Sequence, residues 1–175
     1  MHWHLKPVVG MLIALPWTAL GGQQSACALL TAGDIAAITG ARAQTPHNTD
    51  QTFSQGPAKG QTMHSCMWAV SDQGMVTVGL MRALTGPARE AGLATIAQVS
   101  ATLRAQHWTE EKRDFSGGSC AIMTPPPSQH DLPMTAGCRT EVKSMALSVG
   151  FMSPTRKLTL DQIKSLLDKA VGRLP

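Results

Sequence analysis

Six consecutive residues, Met63 to Trp68, carry the side chains of this sequence that are best suited to chemistry. The run reads MHSCMW and lies in a chain with 10 methionines and no tyrosine. Thioether and imidazole groups suit Cu(I), and a neighbouring indole face adds a cation–π contact. Met63, His64, Met67 and Trp68 are therefore a candidate soft-metal site. On a strand, however, alternate side chains lie on opposite faces, so the two methionines would point away from His64 and Trp68.

A structural interpretation of the same run needs no metal. Trp68 would pack beside a disulfide formed by Cys66, Met67 would fill the opposite surface, and His64 would end the strand in solvent. We favour this interpretation and keep periplasmic copper binding as the alternative.

The four cysteines indicate an exported protein held by disulfides. Cys27, Cys66, Cys120 and Cys138 all follow the N-terminal segment, and exported chains generally pair their cysteines. Four cysteines allow three pairings, between which sequence does not choose. We favour Cys27 with Cys66, which ties the domain's start to a strand, and Cys120 with Cys138, which closes a loop rich in Pro and Gly. The sequence contains no Cys-x-x-Cys spacing, which argues against zinc binding and redox chemistry.

The first 26 residues have the layout of a signal peptide. A segment with the single charge Lys6 precedes an uncharged run, Pro7 to Leu20, and small residues allow cleavage after Gly21 or after Ala26. The run is shorter than the roughly 20 residues that cross a bilayer, and no later segment is longer, so we expect no transmembrane helix.

A lipid anchor at Cys27 is an alternative end to this segment. Ser25, Ala26 and Cys27 resemble the end of a lipobox, but Gln24 stands where an aliphatic residue is usual. Acylation of Cys27 would also leave an odd number of cysteines in an oxidising compartment. We therefore favour an unmodified Cys27.

Residues 27–175 have the length of one domain. The chain has a formal charge of +4 and only 15% charged residues, without the clustered Lys and Arg of a nucleic-acid binder. No nucleotide loop, nucleophile elbow or metalloprotease motif is present, so we expect no cofactor and no enzyme activity.

Three helices are predicted from their ends and periodicity. Thr31 and Thr159 begin capping boxes, completed by Asp34 and Gln162, for helices that end near Gly40 and Gly172. A further helix is expected from Pro87 to Gln106, with a buried stripe of apolar residues. That stripe consists of Leu93, Ile96, Val99 and Leu103.

Alternating residues predict the strands. The segments are Ser65–Val70, Met75–Arg82, Cys120–Met123 and Met145–Met152. Cys138 and Val142 alternate out of phase with the last of these, which suggests a bulge or bend near Lys143 and Ser144. Residues 44–62 and 124–137 are predicted surface loops. The order of elements indicates an α+β domain, an antiparallel sheet with about three helices packed on one side.

The segment Cys27-Ala28-Leu29-Leu30-Thr31, its short helix, and the later Cys66-Met67-Trp68 resemble small bacterial exported proteins and lipoproteins with a domain of unknown function. The resemblance covers about the first half of residues 27–175. It implies a cell-envelope location and a cysteine pair between helix and strand, with no catalytic residues to transfer. Cys120 and Cys138 depart from its pattern.

These observations together predict an exported, non-enzymatic binding or interaction module, periplasmic or secreted. Its partner would be a protein or a small ligand in the cell envelope. A copper-binding protein and a small enzyme inhibitor acting through one of the long loops are the alternatives.

Overall fold

The computed structural model of the chain describes residues 25–175 except Asp72. Residues 1–24, nearly the whole predicted signal peptide, lie outside the described residues. Within residues 25–175, apart from Asp72, no helix combines the length and hydropathy of a membrane span.

Eight antiparallel strands form the sheet in the order β1-β3-β4-β8-β7-β6-β5, and β2 also pairs with β3. The strands are β1 (His47–Asn48), β2 (Gln51–Thr52), β3 (Thr62–Val70), β4 (Gly74–Arg82), β5 (Thr109–Phe115), β6 (Gly118–Thr124), β7 (Met134–Val142) and β8 (Met145–Ser153). The helices are α1 (Ala32–Thr39), α2 (Gly86–Ala105) and α3 (Leu160–Val171). The predicted α+β class, with an antiparallel sheet, three helices and two disulfides, is confirmed.

One face of the sheet closes the hydrophobic core, and we call it the core face. Alternate residues of the central strands are buried on it, among them Trp68, Val78, Val149 and Phe151. Helices α1 and α3 pack on this face, and α3 contacts β6, β7 and β8. The expectation that the helices pack on one side of the sheet therefore holds for α1 and α3, whereas α2 lies over the other face.

The capping boxes form as predicted. Thr31 Oγ1 accepts a hydrogen bond from the Asp34 backbone N–H (3.1 Å), and the Asp34 carboxylate accepts one from the Thr31 N–H (2.9 Å). Thr159 and Gln162 make the equivalent pair at α3. Each box satisfies backbone donors that a helix start would otherwise leave unpaired.

The predicted bend near Lys143 and Ser144 is instead a hairpin turn between β7 and β8. Val142 pairs with Met145, and the two residues between them have φ values of 49° and 65°. Left-handed conformations at both central positions are typical of a two-residue hairpin, whose twist matches that of the strands. A reversal of the chain therefore explains why the apolar alternation changes phase.

The two predicted loops are more regular than expected. Residues 44–62 include β1 and β2, and the last residues of the segment 124–137 belong to β7. Strand β5 was not predicted. It forms the sheet edge beside β6 and is rich in charged residues.

Both disulfides have the favoured pairing. Cys27–Cys66 closes a separation of 39 residues and Cys120–Cys138 one of 18. In the loop-entropy model they stabilise the fold by roughly 4 and 3 kcal/mol. Because the Cys27 sulfur is in the first bridge, it cannot also carry the thioether of a lipid anchor.

An ion pair joins α1 to the C-terminal end of α3. Arg173 Nη1 lies 2.6 Å from Asp34 Oδ2, and Arg173 also donates to the Leu29 carbonyl at 3.0 Å. The hydrogen bond from Arg173 holds the pKa of Asp34 well below its usual range, against the effect of burial, and hydrogen bonds from Thr31 lower the pKa further.

The pKa of Asp34 is lower in the folded chain than in the unfolded one. The ionised Asp34 carboxylate therefore stabilises the fold fully above the unfolded pKa of about 3.9, and this contribution is lost as pH falls. We expect Asp34→Asn to lower the free energy of unfolding at neutral pH by roughly 1–2 kcal/mol. Urea unfolding from about pH 7 to about pH 2 should show the difference from wild type shrinking below about pH 4. A difference that stays constant down to the lowest pH would contradict this account.

Candidate functional site

Helix α2 extends over the second face of the sheet, which we call the cleft face. Two ion pairs hold it there: Arg89 Nε lies 3.2 Å from Glu141 Oε1, and Arg104 Nε lies 3.6 Å from Glu110 Oε2. These pairs join α2 to β7 and β5. Among its 20 residues none is buried.

The apolar stripe predicted for α2 exists but is not buried. Leu93 and Ile96 are each 45% exposed and Val99 is 55% exposed. The prediction of a helix packed through this stripe is therefore wrong, because most residues of the sheet beneath its middle are too small to reach it. Helices in proteins gain most of their stability from burying such a stripe. Helix α2 lacks much of that contribution because its apolar stripe is half-exposed.

Most residues on the floor of the space below α2 are small. They are Thr77, Gly79, Ser119, Ala121, Gly137, Ala146, Ser148 and Gly150. At two positions a side chain would require its neighbour to shift: a Cβ on Gly79 would lie 2.8 Å from Ser148 Oγ, and one on Gly150 would lie 2.7 Å from Thr77 Oγ1. A low floor therefore leaves α2 standing away from the sheet.

Two connected chambers occupy the space between α2 and this floor, and we call them together the cleft. Their volumes are about 650 Å³ and about 680 Å³. The first chamber lies toward Arg89 and the second toward Arg104. These residues are about 22 Å apart along the helix at its usual rise. Both chambers are lined by Leu93, Ile96, Ser119, Arg139 and Ser148.

Among the described residues, seven charged side chains line the cleft, and six of them form pairs. Besides the two ion pairs that hold α2, Lys112 Nζ lies 3.0 Å from Asp114 Oδ1. The seventh, Arg139, is half-buried on the floor, where its Nε donates to Ser119 Oγ at 3.3 Å. No carboxylate of the described residues forms an ion pair with Arg139. The cleft therefore has one uncompensated positive charge.

The structure separates the residues of the candidate metal site. Trp68 is buried in the core, 1% exposed. Met63 lines the first chamber on the cleft face, and Met67 shares that face by alternation. Within residues 25–175 without Asp72, no three His, Cys, Asp or Glu side chains group as a metal site. Copper binding stays a prediction.

His64 instead pairs with an acidic side chain at the edge of the sheet. Its Nδ1 lies 2.8 Å from Asp50 Oδ2, and Asp50 Oδ1 accepts a hydrogen bond from the Ser65 N–H. The hydrogen bond with His64, followed by that from Ser65, lowers the pKa of Asp50. Asp50 thereby ties the segment between β1 and β2 to β3.

Comparison with known proteins identifies the fold. No protein-family model and no curated protein matches the sequence. Among solved structures, the chain is similar to the extracellular domain of PknH from Mycobacterium tuberculosis, with a TM-score of 0.55 and 11% identity over 85% of this chain and 93% of that chain. The two share a fold. This neighbour and the two disulfides fit an exported protein.

Matched truncations should show that the α2 stripe contributes little to stability. Ile96→Ala removes a half-exposed side chain, so we expect a loss of less than about 1 kcal/mol. Ile163→Ala removes a side chain of α3 that is 0% exposed, and should cost roughly 2–5 kcal/mol. Urea unfolding measures both values. Equal losses would mean that α2 packs as tightly as α3.

Proposed function

We propose that the protein is an exported, non-enzymatic binding module, periplasmic or secreted, and that the cleft between α2 and the sheet holds a small ligand. The observation that carries this proposal is that Leu93 and Ile96 of α2, each 45% exposed, face a floor made mostly of small residues. A ligand between them would bury Leu93 and Ile96 and supply the packing that the sheet does not.

The size and lining of the cleft suit such a ligand. Each chamber lies within the range of about 300–1,000 Å³ that is usual for small-molecule sites. Apolar walls with a few polar groups on the floor are also the common composition of these sites. Burial of apolar surface contributes about 25 cal/mol per Å², so covering two large aliphatic side chains favours binding.

The lining favours binding over catalysis. The described residues of the cleft include no histidine, and Cys138 is bridged to Cys120. Each of the three carboxylates is paired with a basic side chain. Groups that transfer protons or attack substrates need free and poised side chains. These features of the lining support a binding role rather than a catalytic one.

A neutral apolar dye, N-phenyl-1-naphthylamine, tests whether the cleft binds ligands. We expect its fluorescence to rise with the wild-type protein. Ser148→Trp should weaken dye binding at least about 10-fold, because a large side chain there would occupy both chambers. Leu93→Ser should weaken binding by a smaller factor.

Two variants are matched controls for the dye titration. Ala69→Trp places the same large side chain on the cleft face of β3 but outside both chambers, and Val99→Ser shortens an exposed residue of α2 that lines neither. Both should bind the dye as the wild type does. Equal weakening in Ala69→Trp and Ser148→Trp would contradict binding in the cleft.

Mass spectrometry of protein purified from the native envelope or culture medium tests the proposed export. We expect an intact mass without free thiols, and a gain of four alkyl groups only after reduction, because all four cysteines are bridged. Free thiols in the native protein, or an acyl chain on Cys27, would overturn this part of the proposal.

A further inference from the structure

The single unpaired charge of the cleft indicates the chemistry of its ligand. In the described part of the chain, four basic and three acidic side chains line the two chambers. The acidic ones are Glu110, Asp114 and Glu141, and each is paired with a different base. Arg139 alone remains, half-buried at the point where the chambers meet. Partial removal from water makes an uncompensated charge costly and its pairing with an anion correspondingly favourable.

We propose, on the basis of the proposed function, that the ligand is a long-chain monocarboxylate whose head group binds Arg139 and whose alkyl chain lies along α2. A carboxylate provides the one negative charge that the cleft lacks. An alkyl chain covers the aliphatic side chains that the protein leaves exposed.

The head-group site is formed by β6, β7 and β8. Arg139 Nε donates to Ser119 Oγ (3.3 Å), which orients the guanidinium along the floor. Among the described residues no other hydrogen-bond partner of this guanidinium is found, so its terminal nitrogens can donate to both oxygens of a carboxylate. The Ser148 hydroxyl lies on the neighbouring strand and lines the same space. These groups form a compact polar site for one anion.

The alkyl chain fits the first chamber better than the second. Beyond the residues that both chambers share, the first is lined by Met63, Met81 and Leu84. The second is lined by Thr77, Ser100 and Lys112 among others. Flexible methionine side chains adapt well to an apolar chain of variable shape. The chain therefore extends from Arg139 toward the N-terminal half of α2.

The acidic residues of the first chamber limit the charge of the ligand. Asp114 and Glu141 line it together with Arg139, and their own partners already neutralise them. A head group with a second negative charge would gain no second cation and would approach these carboxylates. The cleft therefore favours a monoanion over a phosphate monoester.

Competition against N-phenyl-1-naphthylamine measures this preference with three probes of one chain length: dodecanoate, dodecanol and dodecyl phosphate. The two anions are kept below their micelle concentrations and dodecanol below its solubility limit. We expect dodecanoate to bind the oxidised wild-type protein roughly 10- to 100-fold more tightly than dodecanol. This is the increase in affinity that a hydrogen bond between charged groups typically contributes. Dodecyl phosphate should bind more weakly than dodecanoate.

Variants at one position separate charge from packing. Arg139→Gln should abolish the preference for dodecanoate and change dodecanol binding less than about 3-fold, whereas Arg139→Lys should restore part of the preference. Arg42→Gln makes the same charge change at an exposed residue outside the cleft and should behave as wild type. Thermal unfolding and dye binding confirm that each variant is folded.

The outcomes distinguish this proposal from the one on which it rests. Dye binding that Ser148→Trp abolishes, with equal affinities for dodecanoate and dodecanol, would leave the cleft as a binding site and overturn the monocarboxylate. A preference for dodecyl phosphate would overturn it as well. If neither the dye nor any of the three probes binds, the proposed function itself is wrong.

Discussion

The alternation of side chains along the strands determines most of this structure, because it gives the sheet two unlike faces. Large residues such as Trp68 and Phe151 point to the core face, where they are buried and where α3 packs against the sheet. Small residues such as Gly79 and Gly150 point to the cleft face, where a larger side chain would collide with its neighbour. Helix α3 packs directly on the core face, whereas α2 leaves a space between itself and the cleft face.

The interactions that stabilise the fold therefore lie on the core face, and the proposed binding site lies on the cleft face. The buried side chains, both disulfides and the Asp34–Arg173 pair all act on or beside the core face. The cleft can therefore differ in its lining without loss of the fold, since its floor and α2 contribute little buried surface. The likeness to the extracellular domain of PknH fits this view, because the two chains share the fold at 11% identity.

Local signals in the sequence were sufficient for the capping boxes and the central strands, whereas the disulfide pairing was favoured among three alternatives and confirmed only by the structure. Strand β5 was missed because it forms an edge, where charged residues on both faces hide the alternation. The stripe of α2 was recognised, but periodicity does not tell whether protein or ligand covers it. Nothing in the sequence indicated a role for Arg139. It lacks an acidic partner because the nearby acidic residues pair with Arg89, Arg104 and Lys112 in three dimensions.

The Cys120–Cys138 bridge has a consequence for the opposite side of the sheet. Ser119 pairs with Arg139, and the adjoining residues Cys120 and Cys138 pair and are covalently joined beneath them. The spacing of β6 and β7 is thus set when the chain is oxidised, before any ligand arrives. Binding then need not order these two strands, which reduces its entropic cost. The compartment that oxidises the protein also preorganises its cleft.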